Sequence, residues 1–362
     1  MRKNNVLIVI MVLVLMLSLI ALPACNRREG NTNGETRVVV DSVGREVEVP
    51  KDPQAICTLS AFAGPLVCLY GFSDRMPATC NNVLRDTFLK QLCPALNYSI
   101  NVKNSGTMNA ESIMALNVDV IFLDKDMYSD PDEKKKLDTM RIPYVVVDYV
   151  GMDAQIEAAM VVGKALGCED IAQKYVDFYR TAINTVSSNI TSITDRKVYT
   201  IYHSINEATR TDSAGDLGAE WIGVTGCKNV SIDSELNIED GKSMANLETI
   251  LSWDPEVIIC NEPGVDDAIL ADKTWSGVNA VKNNRVYQIP IGITRYGHPN
   301  GIETALAIYW LGTKLYPEAF DFTIEQKMKE FYYTFFNVEV SDETIAQIIQ
   351  GDGIRTEKNK NS

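Results

Sequence analysis

Short amphipathic helices followed by runs of β-branched residues recur along the chain, and two of these units are versions of one another. Residues 108–123 read MNAESIMALNVDVIFL, and residues 245–260 read ANLETILSWDPEVIIC, at a constant offset of 137 that pairs Glu111 with Glu248. Each copy predicts a helix led by a glutamate, a turn and a buried parallel strand. A unit repeated once at this distance predicts two similar α/β lobes rather than a short-period solenoid. Two lobes form a cleft, where a ligand can bind.

The rest of the apolar pattern predicts strands and helices in alternation, which is typical of a parallel α/β sheet. A hairpin is predicted from Arg37 to Val49, around the turn Val43-Gly44-Arg45. Residues 80–105, which contain Cys93-Pro94 and several asparagines, are predicted to be irregular. Predicted strands cover residues 55–59, 75–78, 144–147, 197–202 and 286–290, and predicted helices cover residues 64–70, 218–224, 302–315 and 323–335.

Residues 152–194 predict the element that joins the lobes. After Gly167 this segment has no glycine or proline. Its apolar residues recur at helical spacing: Ile171, Tyr175, Tyr179, Ala182, Val186 and Ile190. At 1.5 Å per residue, about 25 residues form a rod of roughly 35 to 40 Å, long enough to connect two lobes stiffly. The alternative is a long covering helix in a single domain.

The N-terminus predicts export. Arg2 and Lys3 precede an apolar run from Val6 to Leu22, and Leu-Pro-Ala-Cys then resembles the bacterial lipobox, in which the cysteine, here Cys25, is lipidated. A plain transmembrane anchor is the alternative, and both place the folded part outside the cytoplasm and tethered to a membrane. The predicted organisation is a signal peptide (1–24), a flexible linker (25–36), an N-terminal lobe (37–151), the helical segment (152–194), a C-terminal lobe (195–350) and a polar tail (351–362).

Charge and cysteine content exclude some classes of function. The net charge of −14 argues against nucleic acid as a partner. Seven cysteines remain besides Cys25, so they cannot all pair within one chain. Cys57 and Cys260 lie in apolar runs and are predicted to be buried. No Cys-x-x-Cys occurs, so a thiolate zinc site or a redox pair of that type has little support.

Several segments together resemble the family of lipid-anchored substrate-binding proteins of ABC importers that take up iron–siderophore, haem and cobalamin. They are VVVDSVGREVEVPKDPQAIC, AEWIGVTGCKNV, SWDPEVIIC, WSGVNAVKNNRVYQIP and LGTKLYPEAF, in this order. The resemblance runs from about Arg37 to Gly351. It implies two Rossmann-like α/β lobes with central parallel sheets, joined by one long rigid α-helix, in a monomer with small closure motions. It also implies no catalytic activity and no intrinsic cofactor.

The same resemblance implies partners. These are an ABC permease dimer with its cytoplasmic ATPase, onto which Glu111 and Glu248 would each dock through permease arginines. Carboxylates on the rims of two lobes can form charge-assisted, bidentate contacts with guanidinium groups. The alternative interpretation is that each glutamate only favours the dipole of its own helix from the first turn.

Loops at the carboxyl ends of the predicted strands supply candidate ligand contacts, because ligands of parallel sheets bind there. Arginine suits carboxylate, catecholate or oxyanion groups, whereas histidine and tyrosine suit a metal with an open coordination site. His203 and His298, the only two histidines, are therefore also possible metal ligands. The candidates are Ser60, Phe62, Asn81, Asn82, Tyr128, Tyr202, His203, Arg210, Arg295, Tyr296 and His298.

Enzyme signatures are weak. The chain has no Gly-x-Ser-x-Gly and no His-Glu-x-x-His, and Gly241-Lys242-Ser243 lacks the first P-loop glycine because Leu236 stands in its place. The preferred hypothesis is a receptor that captures a metal chelate, first of all iron–siderophore, and delivers it to a permease. Haem, cobalamin and molybdate or tungstate are alternative cargoes. A surface metal-dependent hydrolase or chelatase using the two histidines, and a purely structural lipoprotein, are the alternatives from other classes.

Overall fold

A computed structural model describes residues 34–205, 207–239 and 241–351. The predicted signal peptide, Cys25, most of the linker and nearly all of the polar tail lie outside the described residues.

Fifteen strands are present in the described chain. They are β1 (Thr36–Val40), β2 (Glu46–Pro50), β3 (Ile56–Thr58), β4 (Ala78–Thr79), β5 (Ile100–Asn101), β6 (Lys103–Asn104), β7 (Thr107–Met108), β8 (Val120–Asp124), β9 (Tyr144–Val147), β10 (Thr200–Ser204), β11 (Lys228–Asn229), β12 (Asn237–Glu239), β13 (Lys242–Met244), β14 (Val257–Cys260) and β15 (Val286–Gln288).

Fifteen α-helices in the same ranges separate or follow these strands. They are α1 (Ala63–Leu69), α2 (Asn81–Leu84), α3 (Thr87–Leu92), α4 (Ala110–Ala115), α5 (Lys125–Ser129), α6 (Pro131–Met140), α7 (Met152–Leu166), α8 (Glu169–Thr191), α9 (Leu217–Val224), α10 (Leu247–Trp253), α11 (Val265–Ala271), α12 (Asn279–Lys282), α13 (Thr304–Leu315), α14 (Ile324–Phe336) and α15 (Asp342–Gln350). Short 3₁₀ turns cover Ser73–Arg75, Pro94–Tyr98, Lys273–Trp275 and Pro317–Ala319.

Two parallel sheets organise the fold. The first has the strand order β5-β4-β3-β8-β9, and the second has the order β11-β10-β14-β15. Every pairing inside each sheet is parallel. The predicted two-lobed α/β fold is therefore confirmed. We call the five-stranded sheet with its flanking helices the first lobe, and the four-stranded sheet with its flanking helices the second lobe.

The repeated sequence unit occupies equivalent places in the two sheets. Its helix is α4 in one lobe and α10 in the other, and its strand is β8 or β14, each paired with the first strand of its sheet. Asp119 and Glu256, which precede these strands, each accept a backbone N–H at the start of the neighbouring strand. The Asp119 carboxylate accepts the N–H of Ala55 at 2.9 Å, and the Glu256 carboxylate accepts the N–H of Thr200 at 3.2 Å. The repeat thus preserves the cap of the neighbouring strand as well as the hydrophobic pattern.

Helix α8 is the long element predicted from the sequence. It has 23 residues, about 35 Å at the usual rise, and Tyr175, Tyr179 and Val186 lie on its buried stripe. Gly167, at φ +72°, ends α7 before it. The largest core cluster contains this stripe together with residues of both sheets, such as Val145 and Ile259. One continuous apolar core therefore joins the two lobes through α7 and α8.

Some predicted boundaries are wrong. The strand predicted at 75–78 is β4, which begins only at Ala78, because a 3₁₀ turn comes first. The strand predicted at 197–202 is β10, which begins at Thr200; before it, the carbonyl of Lys197 accepts the hydroxyl of Tyr316 at 2.7 Å. Residues 80–105 contain α2 and α3, whose four and six residues are too short for a clear helical period.

Candidate ligand-binding cleft

A cleft of about 560 Å³ lies beyond the carboxyl ends of strands from both sheets. The segments after β4 and β9 line it from the first lobe, and the segments after β10, β14 and β15 line it from the second lobe. This is the edge at which parallel α/β sheets bind ligands. The lining residues with polar side chains or glycine are Asn82, Arg85, Gly151, His203, Arg210, Thr211, Asp212, Ser213, Asp216, Gly218, Gly241, Lys242, Ser243, Asn261, Glu262, Arg295, Gly297, His298 and Asn300.

A buried histidine–aspartate pair forms one wall of the cleft. His203 Nδ1 lies 2.8 Å from Asp212 Oδ2, and both side chains are almost completely buried. Asn229 Nδ2 donates to the same carboxylate oxygen at 3.0 Å. Because a carboxylate only accepts, we assign the proton of the pair to Nδ1. His203 Nε2 has no hydrogen-bond partner in the described chain, so a neutral ring offers a lone pair there.

Trp221 lies directly behind this wall, completely buried. Its indole ring meets the His203 imidazole edge to face, with ring centroids 5.6 Å apart. Its Nε1 atom is buried and, like His203 Nε2, has no partner among the described residues. A Cβ on Gly297 would lie 2.4 Å from Trp221 Nε1, and a Cβ on Gly218 would lie 2.7 Å from His203 Nδ1. Glycine is therefore required at both positions, because any larger side chain would overlap the Trp221 or the His203 ring.

Basic side chains collect around the cleft although the chain as a whole is acidic. Four arginines and lysines line it against three aspartates and glutamates, whereas the net charge of the protein is −14. Each of the three acids already accepts hydrogen bonds: Asp212 as described, Asp216 from the N–H and hydroxyl of Ser213 at 2.7 and 2.9 Å, and Glu262 from Arg295. The cleft is thus better suited to an anionic ligand than the surrounding surface is.

The loop from Ile291 to Gly301, which carries Arg295 and His298, is held from below by Glu303. The Glu303 carboxylate accepts the N–H of Ile293 at 3.0 Å, the N–H of Thr294 at 2.8 Å and the hydroxyl of Tyr332 at 2.6 Å. Complete burial, opposed by these three donors, raises the pKa of Glu303 from 4.5 to about 7.

Helix α7 holds the same loop from the other side. Gln155 Nε2 donates to the carbonyl of Pro299 at 3.0 Å, and its Oε1 accepts from the hydroxyl of Tyr179 at 2.8 Å. Tyr175 of α8 donates to the carbonyl of Ile302 at 3.0 Å. The connecting helices therefore position the ligand loop of the second lobe directly.

Five of the eleven predicted cleft residues line the cleft together. They are Asn82, His203, Arg210, Arg295 and His298.

The other six predicted residues are not among those that line this cleft. Successive residues of a strand point to opposite faces, so Tyr202 turns away from His203 and donates to the carbonyl of Ala208 at 2.6 Å. Ser60 accepts the N–H of Ala63, and the buried Phe62 ring stacks on Tyr149 at 5.2 Å.

Tyr128 and Tyr296 pack against other residues of their lobes, and Asn81 is exposed. Tyr128 packs against the second core cluster of the first lobe, with the Arg45 guanidinium 4.7 Å from its ring centre. Tyr296 is completely buried, with its hydroxyl 3.3 Å from that of Tyr332. Asn81 is the first residue of α2, next to Asn82 in the cleft.

Sequence reasoning missed several polar residues of the cleft. Arg85 lies in the segment predicted to be irregular, and Lys242 belongs to the glycine-lysine-serine triplet that was considered only as a P-loop. Asp212 follows His203 by nine residues, so no local spacing marks the pair. A search for acids near the few histidines would have suggested it, because a buried histidine needs a partner.

Glu111 and Glu248 occupy equivalent exposed positions in the first turns of α4 and α10. Asn109 and Asn246 cap these helices by accepting the N–H groups of Ser112 at 3.0 Å and Thr249 at 2.8 Å. Because the caps are the same, the two carboxylates leave their lobes with the same local geometry.

No group of three or more histidine, cysteine, aspartate or glutamate side chains in the described ranges is arranged to hold a metal ion. Nor does any helix of these ranges have the length and apolarity required to cross a membrane.

Comparison with known proteins decides the family. Residues 66–291 match the family described as periplasmic binding protein. The chain belongs to this family. A crystal structure of a periplasmic solute binding protein from Veillonella parvula superposes with a TM-score of 0.76 at 22% identity, covering 88% of this chain and 98% of that one.

Two curated relatives extend over most of the chain. One is the molybdate-binding protein MolA of Haemophilus influenzae, 23% identical, with 86% of this chain and 94% of that protein covered. The structure of MolA bound to molybdate has a TM-score of 0.71 at 19% identity, covering 84% of this chain and 99% of that one. The other is YvrC of Bacillus subtilis, an uncharacterized ABC transporter substrate-binding lipoprotein, 22% identical over 84% of this chain and 96% of that protein.

The predicted family is thus confirmed. The protein is the extracytoplasmic substrate-binding component of an ABC transporter, with a small-molecule ligand and permease and ATPase partners. Its relatives are substrate-binding proteins and not enzymes, which agrees with the binding role predicted from the sequence.

Proposed function

We propose that the cleft captures an anionic metal chelate, with ferric siderophore as the first candidate, and presents it to the permease. The observation that carries this proposal is the group of basic side chains around the cleft of an acidic protein, while the nearby carboxylates are occupied by their own donors. A volume of about 560 Å³ is also in the range that holds a drug-sized ligand.

Molybdate or tungstate is the second candidate. The similarity to MolA over 86% of the chain favours it, and an oxyanion would use the same basic side chains. The guanidinium groups of Arg85, Arg210 and Arg295 suit an oxyanion, since the oxygen atoms of a dianion accept several hydrogen bonds at once. Haem and cobalamin remain alternative cargoes, and His203 and His298 could contribute to any cargo with an open metal position.

Thermal unfolding of the chain from Asn26 onward, with each cargo class in turn, tests these candidates. A ligand present at a hundred times its dissociation constant stabilises the folded state by about 2.7 kcal/mol. Ferric siderophores, molybdate, tungstate, haem and cobalamins are compared at the same concentration. A stabilising ferric siderophore supports the first candidate, and stabilisation by molybdate alone supports the second.

Variants separate specific binding from general charge attraction. Arg210→Gln removes a partly buried cationic group of the cleft and should weaken an anionic cargo roughly 10-fold or more, because hydrogen bonds to charged groups contribute about 1.5–3 kcal/mol. Arg180→Gln, on the exposed face of α8, is the matched control with the same change of net charge. Equal weakening by both variants, or the tightest binding to an uncharged or cationic cargo, would contradict the proposal.

Delivery to the permease is proposed to use Glu111 and Glu248, and anchoring to use a lipid on Cys25. Their equivalent exposed placement supports docking, and the description of YvrC as a lipoprotein supports the anchor. Glu111→Gln with Glu248→Gln should leave cargo affinity unchanged and lower the stimulation of the transporter ATPase. Glu325→Gln, an exposed first-turn glutamate of α14, is the control. Full stimulation by the double variant would refute docking, and mass spectrometry of the N-terminal peptide tests the lipid.

A further inference from the structure

The chain leaves the first lobe after β9 and enters α7 through residues 148–151. The carboxylate of Asp148 accepts from Lys125 Nζ, in the helix after β8, at 2.6 Å. The Tyr149 ring stacks on the buried Phe62 ring, with centroids 5.2 Å apart. The segment that leads into α7 is therefore fixed to the first lobe as far as Tyr149.

Helix α7 begins at Met152 without a side-chain cap of its own, because its N-cap residue is Gly151. The second lobe provides the cap instead: the Glu220 carboxylate of α9 accepts the N–H of Met152 at 2.6 Å. Gly151 lies at φ +91°, and a Cβ there would lie 2.9 Å from Glu220 Oε1, so glycine permits this close approach. A carboxylate also suits the positive end of the dipole of this 15-residue helix.

Later turns of α7 are bonded to the first lobe. The hydroxyl of Tyr70, the residue after α1, donates to the carbonyl of Ala159 at 2.9 Å. The Arg37 guanidinium of β1 donates to the carbonyl of Lys164 at 3.3 Å, near the end of the helix. One helix is thus held by the second lobe at its start and by the first lobe along the rest of its length.

We propose that Glu220 is a positioning residue for cargo binding, which holds α9 at the start of α7 and so sets the distance between the two walls of the cleft. Helix α9 also carries Gly218, which lines the cleft and packs against His203. A shift of α9 along α7 therefore moves the histidine wall relative to Asn82 and Arg85 of the first lobe. The hydrogen bond is charge-assisted, which makes it stronger than a bond between neutral groups.

Amide hydrogen exchange in the full-length protein, purified in detergent, tests the bond. The first N–H groups of a helix have no intrahelical partner, so they ordinarily exchange fast. The Met152 N–H should exchange roughly 10-fold or more slowly in wild type than in Glu220→Ala, because it donates to a charged group. The bond from Gln155 to Pro299 remains in this variant and keeps the lobes together. Fast exchange at Met152 in wild type would overturn the proposal whether or not the variant folds.

The distance between the lobes tests the positioning role. Spin labels are attached through Glu111→Cys and Glu248→Cys, at exposed equivalent positions. The labelled protein also carries Cys168→Ser and Cys227→Ser, because these are the partly exposed cysteines of the described ranges. Pulsed electron paramagnetic resonance then measures the distance between the labels. Adding Glu220→Ala should shift or broaden the distance distribution, whereas Glu220→Gln, which keeps an oxygen acceptor, should largely restore it.

Asp153→Ala is the matched control, because it removes an exposed carboxylate from the first turn of the same helix while the bond from Glu220 stays. It should leave the label distance unchanged. If Glu220 were only a helix cap, Glu220→Ala would lower the unfolding temperature and leave the distance distribution as in wild type. That result, or an equal change in Asp153→Ala, would contradict the positioning role. Both measurements are made without cargo, so they remain decisive even if the proposed cargo is wrong.

Discussion

The buried carboxyl group of Glu303 should make the stability of the protein depend on pH in an unusual direction. Its pKa is raised from 4.5 to about 7, so the folded state takes up a proton more readily than the unfolded state between these values. The stabilisation from this group is therefore complete below about pH 4.5 and is lost as the pH rises through 7. Most buried acids that are paired with cations show the opposite behaviour.

The magnitude follows from the two pKa values. They differ by about 2.5, and each unit corresponds to 1.36 kcal/mol, so the full effect on the free energy of unfolding is roughly 3 kcal/mol. Between pH 5 and pH 8 about 2.5 kcal/mol of it should be lost, because unfolded glutamate is already mostly ionised at pH 5.

Glu303→Gln isolates this contribution. The glutamine amide cannot accept every N–H that the carboxylate accepts, so the variant carries a constant penalty. At each pH, the free energy of unfolding of the variant is subtracted from that of wild type. The constant penalty cancels when the value at pH 8 is then subtracted from the value at pH 5. Urea unfolding at the two pH values should show wild type losing about 2.5 kcal/mol relative to the variant.

Glu325→Gln, at an exposed position, is the control. Its free energy of unfolding should differ from that of wild type by nearly the same amount at both pH values, since the Glu325 carboxylate is hydrated in the folded and the unfolded state. A difference between wild type and Glu303→Gln that does not change between pH 5 and pH 8 would refute the reasoning. It would mean that the donors from Ile293, Thr294 and Tyr332 outweigh the cost of burial and keep Glu303 ionised.

Four further substitutions test the helix caps and the packing described above by chemical unfolding. Asn109→Ala and Asn246→Ala each remove one equivalent helix cap and should each cost about 1 kcal/mol, and a clearly unequal pair would contradict the equivalence of the repeats. Gly163→Ala places a Cβ 2.3 Å from the neighbouring helix and should cost about 1–3 kcal/mol, whereas an unchanged midpoint would show that α7 and α8 can separate. Gly297→Ala places a Cβ 2.4 Å from Trp221 Nε1, in a backbone at φ +69° that alanine rarely adopts. It should therefore lower both the stability of the protein and its affinity for cargo. Unchanged affinity would mean that the cargo does not contact the wall formed by His203 and Gly297.

The sequence pattern predicts the fold well where the signal is repeated or long. The repeated unit identified β8 and β14 because each copy has a helical period followed by a β-branched run, and the stripe on α8 extends over 23 residues. The start of β10 was misplaced by three residues, because Val198 and Tyr199 have the same residue types as the strand that follows. The backbone carbonyl of Lys197 accepts the hydroxyl of Tyr316, a tertiary contact that no local pattern shows.

The cleft was only partly predictable for a related reason. Strand ends identify the correct edge of each sheet, but they do not tell which of two adjacent residues faces the ligand. Tyr202 and His203 were both predicted to face the ligand. Because adjacent residues of a strand point to opposite faces, His203 lines the cleft whereas Tyr202 packs in the core. Arg85 and Asp212 were missed because their role depends on contacts between segments distant in sequence.

Glu303 and Gln155 fix the backbone of the loop that carries Arg295 and His298 before any cargo arrives. The entropy of ordering that loop, about 1–2 kcal/mol per residue, is therefore lost during folding and not during binding. A preorganised site of this kind binds tightly with little rearrangement. The backbone of this loop is thus tied to its surroundings at Ile293, Thr294 and Pro299 and is not free there to relax around the cargo. We therefore expect cargo release to require movement of the opposite wall of the cleft, so the rate of uptake should be limited by the transporter and not by the receptor.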